Sequence, residues 1–211
     1  MPHPTHGSLD DDAATISAAL PPGERVAILG STSFWSVAGE PICRLLGEEL
    51  ARRESVVLLS GGMTGVAECT SASFLVTRNR LRLASNLFHI VPLDTSSACV
   101  GPVIEAGGSL AERRELLARV ASRYIVVEGG PGTAHETEIA LARGARVIPV
   151  GISGGVAAKL HATCADAYAR QHPAWNVLND KRATVARVVR AAMTLCFDDS
   201  PGSQPGTDPE T

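Results

Sequence analysis

The chain has 211 residues, a net charge of −3 and 45% hydrophobic residues, of which few are aromatic. That length suits one large domain or two small ones. The mild acidity offers no basic patch of the kind duplex binding shows, and no apolar run approaches the ~20 residues of a membrane span. The five cysteines are scattered without a C-x-x-C pair, which gives no support to a zinc site or a disulfide scaffold and leaves free thiols in a reducing compartment. Met1 to Asp12 holds two His, two Pro and three Asp but neither an apolar core nor an Arg, so it reads as a solvated leader, and the expected setting is cytoplasmic.

Residues 1–22 read as a flexible arm with a short helix near Ala13 to Ala19. Arg25 to Leu29 is the first buried strand, closed by Gly30-Ser31. Glu40 to Arg53 carries Ile42, Leu45, Leu46 and Leu50 at helical spacing. Ser55 to Leu59 is the second strand, closed by Gly61-Gly62, and a helix of small residues follows from Met63 to Leu75. Leu87 to Val91 is the third strand, and Asp94 to Gly108 a long loop, which in a compact domain tends to be functional. A helix over Ser109 to Ser122 leads into the strand Tyr124 to Val127. Helix Glu136 to Arg143, strand Arg146 to Val150 and helices Leu160 to Arg170 and Ala183 to Leu195 complete the pattern, with His172 to Leu178 wrapping the core around Trp175. The expected domain spans 23–197, and residues 198–211, rich in Pro, Gly and Asp, read as a disordered tail. Strands this uniformly apolar are buried on both faces. The expected fold is therefore a single α/β domain of three layers, a Rossmann-like doubly wound and mainly parallel sheet, with ligands at the strand carboxyl ends.

Three glycine-containing turns close strands: Gly30-Ser-Thr-Ser33, Gly61-Gly-Met-Thr-Gly65 and Gly129-Gly-Pro-Gly-Thr133. Glycine lets the backbone turn tightly and approach a ligand, and a helix N-terminus behind such a turn favours an anion. Ser31, Gly61, Gly62, Thr64, Gly65, Gly129, Gly130, Gly132 and Thr133 are thus the expected contacts to a phosphate or nucleotide. None of the turns is G-x-G-x-x-G or a P-loop, which counts against hydride transfer and ATP hydrolysis. Arg113, in the run Glu112-Arg-Arg-Glu115 at a helix start, lies 23 positions before Glu136. One helix, one strand and one turn separate them, which returns the chain to the same sheet edge, so both side chains are expected to face one crevice.

The Gly-Gly-x-Gly-Thr-x-x-Glu run, preceded by Glu-Arg-Arg at this distance, resembles the Lonely Guy family of phosphoribohydrolases, long taken for lysine decarboxylases, over about Arg25 to Val150. The resemblance implies hydrolysis of the N-glycosidic bond of a nucleoside 5′-monophosphate to free base and ribose 5-phosphate. Glu136 would be the catalytic carboxylate and Arg113 its partner, with Gly129, Gly130, Gly132 and Thr133 around the phosphate. No metal and no cofactor are implied, and a homodimer or higher homo-oligomer is. Glu128 stands where that family has proline, Arg114 where it has lysine, and the stretch from Glu136 to Val147 is short. In that shortness, and in Ile139-Ala-Leu-Ala142, the chain is also similar to molybdenum cofactor carrier proteins, which implies the alternative of a non-catalytic carrier or sensor of a phosphorylated pterin or nucleotide. The expected partner is in either case a phosphorylated small molecule, neither nucleic acid nor membrane. His135, about 100° around the helix from Glu136, is expected at the rim. Asp94 to Ser97 is a candidate loop over the ligand or a set of Asx turns, and Phe34 and Trp35 are candidates to stack on a ring, to pack or to make a subunit contact.

Overall fold

A computed structural model describes residues 8–168 and 172–198. Six strands form one sheet: β1 (Glu24–Gly30), β2 (Val56–Ser60), β3 (Leu87–Val91), β4 (Val103–Glu105), β5 (Arg123–Val127) and β6 (Arg146–Val150). The order is β4-β3-β2-β1-β5-β6, and every pairing is parallel. The chain winds outward from β1 to β4, then crosses to the other side of β1 to lay down β5 and β6. The order therefore reverses between β1 and β5, and a crevice opens there at the carboxyl ends. This is the expected three-layer Rossmann-like fold.

Alternation along the strands builds the two outer layers. Val26, Ile28, Leu58, Ile125, Val127, Ile148 and Val150 face one way, against α2 (Gly39–Ala51), α3 (Val66–Leu81), α7 (Ala174–Val177) and α8 (Val185–Phe197). Ala27, Leu29, Val57, Leu59, Tyr124, Val126 and Val147 face the other, against α1 (Leu9–Ala19), α4 (Leu110–Val120), α5 (Pro131–Ala142) and α6 (Gly155–Tyr168). Trp175 is wholly buried in the first layer, as the expected wrap requires.

Several boundaries differ from expectation. In its described part the arm 1–22 is not free. Ser8 caps α1 in a reciprocal capping box, Ala13 and Ile16 bury against Leu116, Leu117 and Val120, and Arg119 binds Asp10 at 3.0 Å. The loop 94–108 contains β4, a three-residue edge strand too short for a periodicity to show. Helix α5 starts at Pro131 instead of Glu136, because proline at the first helical position has its fixed φ ready and no N–H to lose. The expected tail 198–211, apart from Asp198, and the first seven residues lie outside the described residues. Among the described residues no helix is long and apolar enough to cross a membrane.

Candidate functional site at the β1–β5 crevice

In a parallel sheet a helix that precedes a strand begins at the carboxyl edge, and so does one that follows a strand through a tight turn. Helices α4 and α5 both start there. Ser109 accepts the Glu112 amide at 3.2 Å and fixes the first turn of α4, which carries Arg113 and Arg114. Glu136 lies in the second turn of α5. The structure brings the expected pair together: Arg113 Nη1 donates to Glu136 Oε1, with the two side chains only 6% and 9% exposed. Gly61 makes room for this, since a Cβ there would collide with the Arg113 guanidinium. The pair lies in the wall of a cavity of about 340 Å³ that reaches the turns after β1, β2 and β5. A hollow of about 450 Å³ between α2 and α8 holds none of these turns.

Burial pushes the Glu136 carboxyl above its ordinary range, opposed first by the charge of Arg113 and then by that of Arg114. Arg114 is the residue that sequence reasoning passed over. It lines the cavity, makes no ion pair among the described residues, and its Nε is buried without a hydrogen-bond partner. A Cβ at Gly132 would stand 2.8 Å from Arg114 Nη2, so the guanidinium lies across the first turn of α5. There Ala134 N closes the first helical bond onto Gly130 O at 3.0 Å, which leaves the amides of Gly132 and Thr133 without intrahelical partners. Positive dipole end and cation converge on one spot. The signal was present as a second arginine beside the first.

The other expected contacts divide. Gly61, Thr64, Gly130, Gly132 and Thr133 line the cavity with Ser31. The hydroxyl protons are committed, however: Thr64 donates to Thr32 O at 2.8 Å and Thr133 to Gly30 O at 3.1 Å. Gly62 points its backbone away, donating its N–H to Ser60 Oγ at 3.1 Å and accepting Ala98 N on its carbonyl at 2.8 Å. Ser60 in turn contacts His89 Nδ1 at 2.7 Å, so this turn is held from inside the fold. Gly65, at φ +75°, lets α3 start hard against the backbone of 31–33. Gly129, at φ +98°, faces Thr133 and receives Val156 N on its carbonyl at 2.9 Å. Neither lines the cavity. His135 is exposed, Phe34 packs on the core, and Asp94 to Ser97 stays outside the cavity lining.

Glu128 explains the first turn. It is fully buried at φ +58°, and its carboxyl oxygens accept from Ser31 Oγ, Trp35 N at 3.1 Å and Ser36 N at 2.9 Å. The nest after β1 is filled by the protein's own acid. Among the described residues no three His, Cys, Asp or Glu side chains gather as a metal site would need.

A family model, LDcluster4, described as the SLOG cluster4 family, matches residues 24–181. The chain belongs to this family. The resemblance to the Lonely Guy superfamily stands at that level. Among curated proteins none matches the sequence. Solved structures do. The structural genomics target TM1055 is 23% identical at a TM-score of 0.55, over 66% of this chain and 81% of its own. The molybdenum cofactor binding protein of the phototrophic bacterium Rippkaea orientalis is 18% identical at a TM-score of 0.55, over 82% of this chain and 97% of its own. DNA processing protein A from Helicobacter pylori, solved for its single-stranded DNA binding mode, is 17% identical at a TM-score of 0.48, over 63% and 66%. At these identities the likeness is one of fold.

Proposed function

We propose that this SLOG cluster4 protein hydrolyses the N-glycosidic bond of a nucleoside 5′-monophosphate, giving free base and ribose 5-phosphate. The observation that carries the reading is a buried carboxyl, Glu136, one helical turn beyond an open helix start that Arg114, which makes no ion pair among the described residues, also faces. A 5′-phosphate fits against the amides of Gly132 and Thr133 and the Arg114 guanidinium. The sugar then extends toward Glu136. As the bond to the base breaks, positive charge builds on the sugar, and an ionised Glu136 stabilises it or takes a proton from the attacking water. One water is consumed: its hydroxyl joins the anomeric carbon and the departing base gains a proton. Arg113 holds Glu136 in place and favours its ionised form. The same reading takes the protein as a homodimer, as the resemblance implies, and as cytoplasmic, in keeping with its scattered cysteines.

A second reading has one observation in its favour. Arg113 already occupies Glu136, and a carboxyl clamped by a guanidinium suits a binding site as well as a catalytic one. The protein would then carry or sense a phosphorylated ligand, such as a nucleotide or the molybdenum cofactor, without turning it over.

Incubation with AMP, dAMP and CMP and chromatography of the free base separates the two. Glu136→Gln should lower base release by ~10²–10⁴-fold, the usual share of a positioned acid or base. A loss of only two- or three-fold, or tight binding without release that survives the substitution, moves the assignment to the carrier.

A further inference from the structure

Among the described residues Trp35 is the one large aromatic side chain at the cavity, and it is 58% exposed while its backbone is locked from beneath. Its amide hydrogen goes to both carboxyl oxygens of Glu128, at 3.1 Å each, and the next amide, of Ser36, goes to Oε1 at 2.9 Å. Glu128 is itself fixed at both ends of its peptide: its N–H donates to Ser153 Oγ at 2.7 Å, and its carbonyl accepts Ala157 N at 2.9 Å. The indole lies over two positions that lack side chains. A Cβ would come within 3.6 Å of its Cη2 at Gly130 and within 2.9 Å of its Cζ3 at Gly155. The ring therefore stands beside the open start of α5. On its far side a groove of about 480 Å³, floored by Ala134, Val156 and Leu160, shares Trp35, Gly130 and Pro131 with the cavity. A rigidly seated aromatic ring, uncovered by the protein and next to an anion nest, is what a planar heterocycle attached to a phosphate would stack on.

We propose that Trp35 is the stacking wall for the ligand's planar heterocycle, and that Glu128 is a positioning residue that sets the ring's place by binding its backbone. Together they make the site select a phosphorylated ligand bearing an aromatic ring over a bare sugar phosphate. The proposal rests on the phosphate site described above but not on turnover. It also gives the acid after β5 a role: the proton acceptor that fills the β1 nest is the peg that holds the reader of the ring.

Calorimetric titration with carbocyclic AMP, in which a methylene replaces the ring oxygen so that no oxocarbenium state forms, and with ribose 5-phosphate tests this. Trp35→Ala should weaken the AMP analogue by ~10- to 100-fold, the range of base–aromatic stacking, and leave ribose 5-phosphate within about three-fold. Trp35→Phe should restore most of the loss. Glu128→Ala should shift the ratio of the two affinities in the same direction, and should add nothing to it in a Trp35→Ala background, because coupled residues fail to add. Glu128→Gln, whose amide oxygen still takes both amide hydrogens while the Ser31 hydroxyl turns to accept, should remain near the parent. If Glu128→Ala does not fold, Glu128→Asp, one methylene too short to reach, takes its place. The proposal falls if Trp35→Ala weakens both ligands equally, or if the Glu128 substitution shifts the ratio as much without Trp35 as with it. If the parent protein binds neither ligand, the phosphate-site reading falls as well.

Discussion

The turns after β1 and β5 lie side by side, and both combine glycine with a hydroxyl residue. The first is closed by the molecule itself: Glu128 takes the Ser31 hydroxyl and the Trp35 and Ser36 amides. The second leaves the first amides of α5 open and puts Arg114 across them. A glycine turn thus records that something negative or bulky comes close to the backbone, and says nothing of whether that object belongs to the ligand or to the protein. The sharpest way to break the comparison is Arg114→Ala. Charge-assisted hydrogen bonds contribute ~1.5–3 kcal/mol, so ribose 5-phosphate should bind about 10- to 150-fold more weakly in calorimetric titration. The melting temperature should hardly move, because among the described residues the guanidinium makes no ion pair. Unchanged affinity would put the anion elsewhere.

The two buried acids at these turns sharpen the comparison further. Among the described residues the Glu128 carboxyl accepts from amides and a hydroxyl, whereas Glu136 faces two arginines. Burial nevertheless wins at Glu136 and raises its pKa above the ordinary 4.5. If the ionised form is the working one, kcat/KM for base release should fall about tenfold per pH unit below a midpoint that lies above 4.5. Arg114→Ala removes a cation that opposes the shift, so it should move that limb to higher pH. The stability sign follows from the same shift. The folded protein holds this proton more tightly than the unfolded chain, so the contribution is present below pH 4.5 and is lost as pH rises through the folded value. An acid limb at or below 4.5 in the pH profile would contradict the assignment.

The sheet was legible because β1, β2, β5 and β6 are short apolar runs closed by glycine, and the meeting of Arg113 with Glu136 followed from the winding alone. What escaped had no pattern to betray it. The second half of α3, Val76 to Leu81, shows no apolar period, yet Arg78 is buried there by donating to Arg53 O at 2.8 Å and Val56 O at 2.9 Å. Strand β4 has three residues and α7 has four, too few for any period. Gly129 to Thr133 reads as one loop, but Pro131 starts a helix inside it, and of the five residues Gly129 alone leaves the cavity lining. Glu128 looked like a departure from a family pattern, since a lone acid after a strand does not say which amides it will meet 92 positions away at Ser36. Arg114 was hidden by its neighbour: two adjacent arginines at a helix start read equally well as a solvated face.

The smallest effect is the most discriminating for the plugged turn. Ser31→Ala removes a donor whose proton goes to Glu128, in a side chain that nonetheless lines the cavity. A buried hydrogen bond contributes ~0.5–1.5 kcal/mol net, or ~1.5–3 kcal/mol where one partner is charged, and the carboxyl keeps two amide donors, so the loss in denaturant unfolding should stay below ~3 kcal/mol. Phosphate affinity should be unchanged within the error of the titration, because the hydroxyl has no second proton to offer a ligand. A ligand oxygen that needed Ser31 would have to take that proton from Glu128 and leave a buried acceptor short of a partner. Weakening of ribose 5-phosphate by tenfold or more in Ser31→Ala would mean that ligand binding opens the Glu128 contact, and that the β1 turn joins the site only once the internal acid lets go.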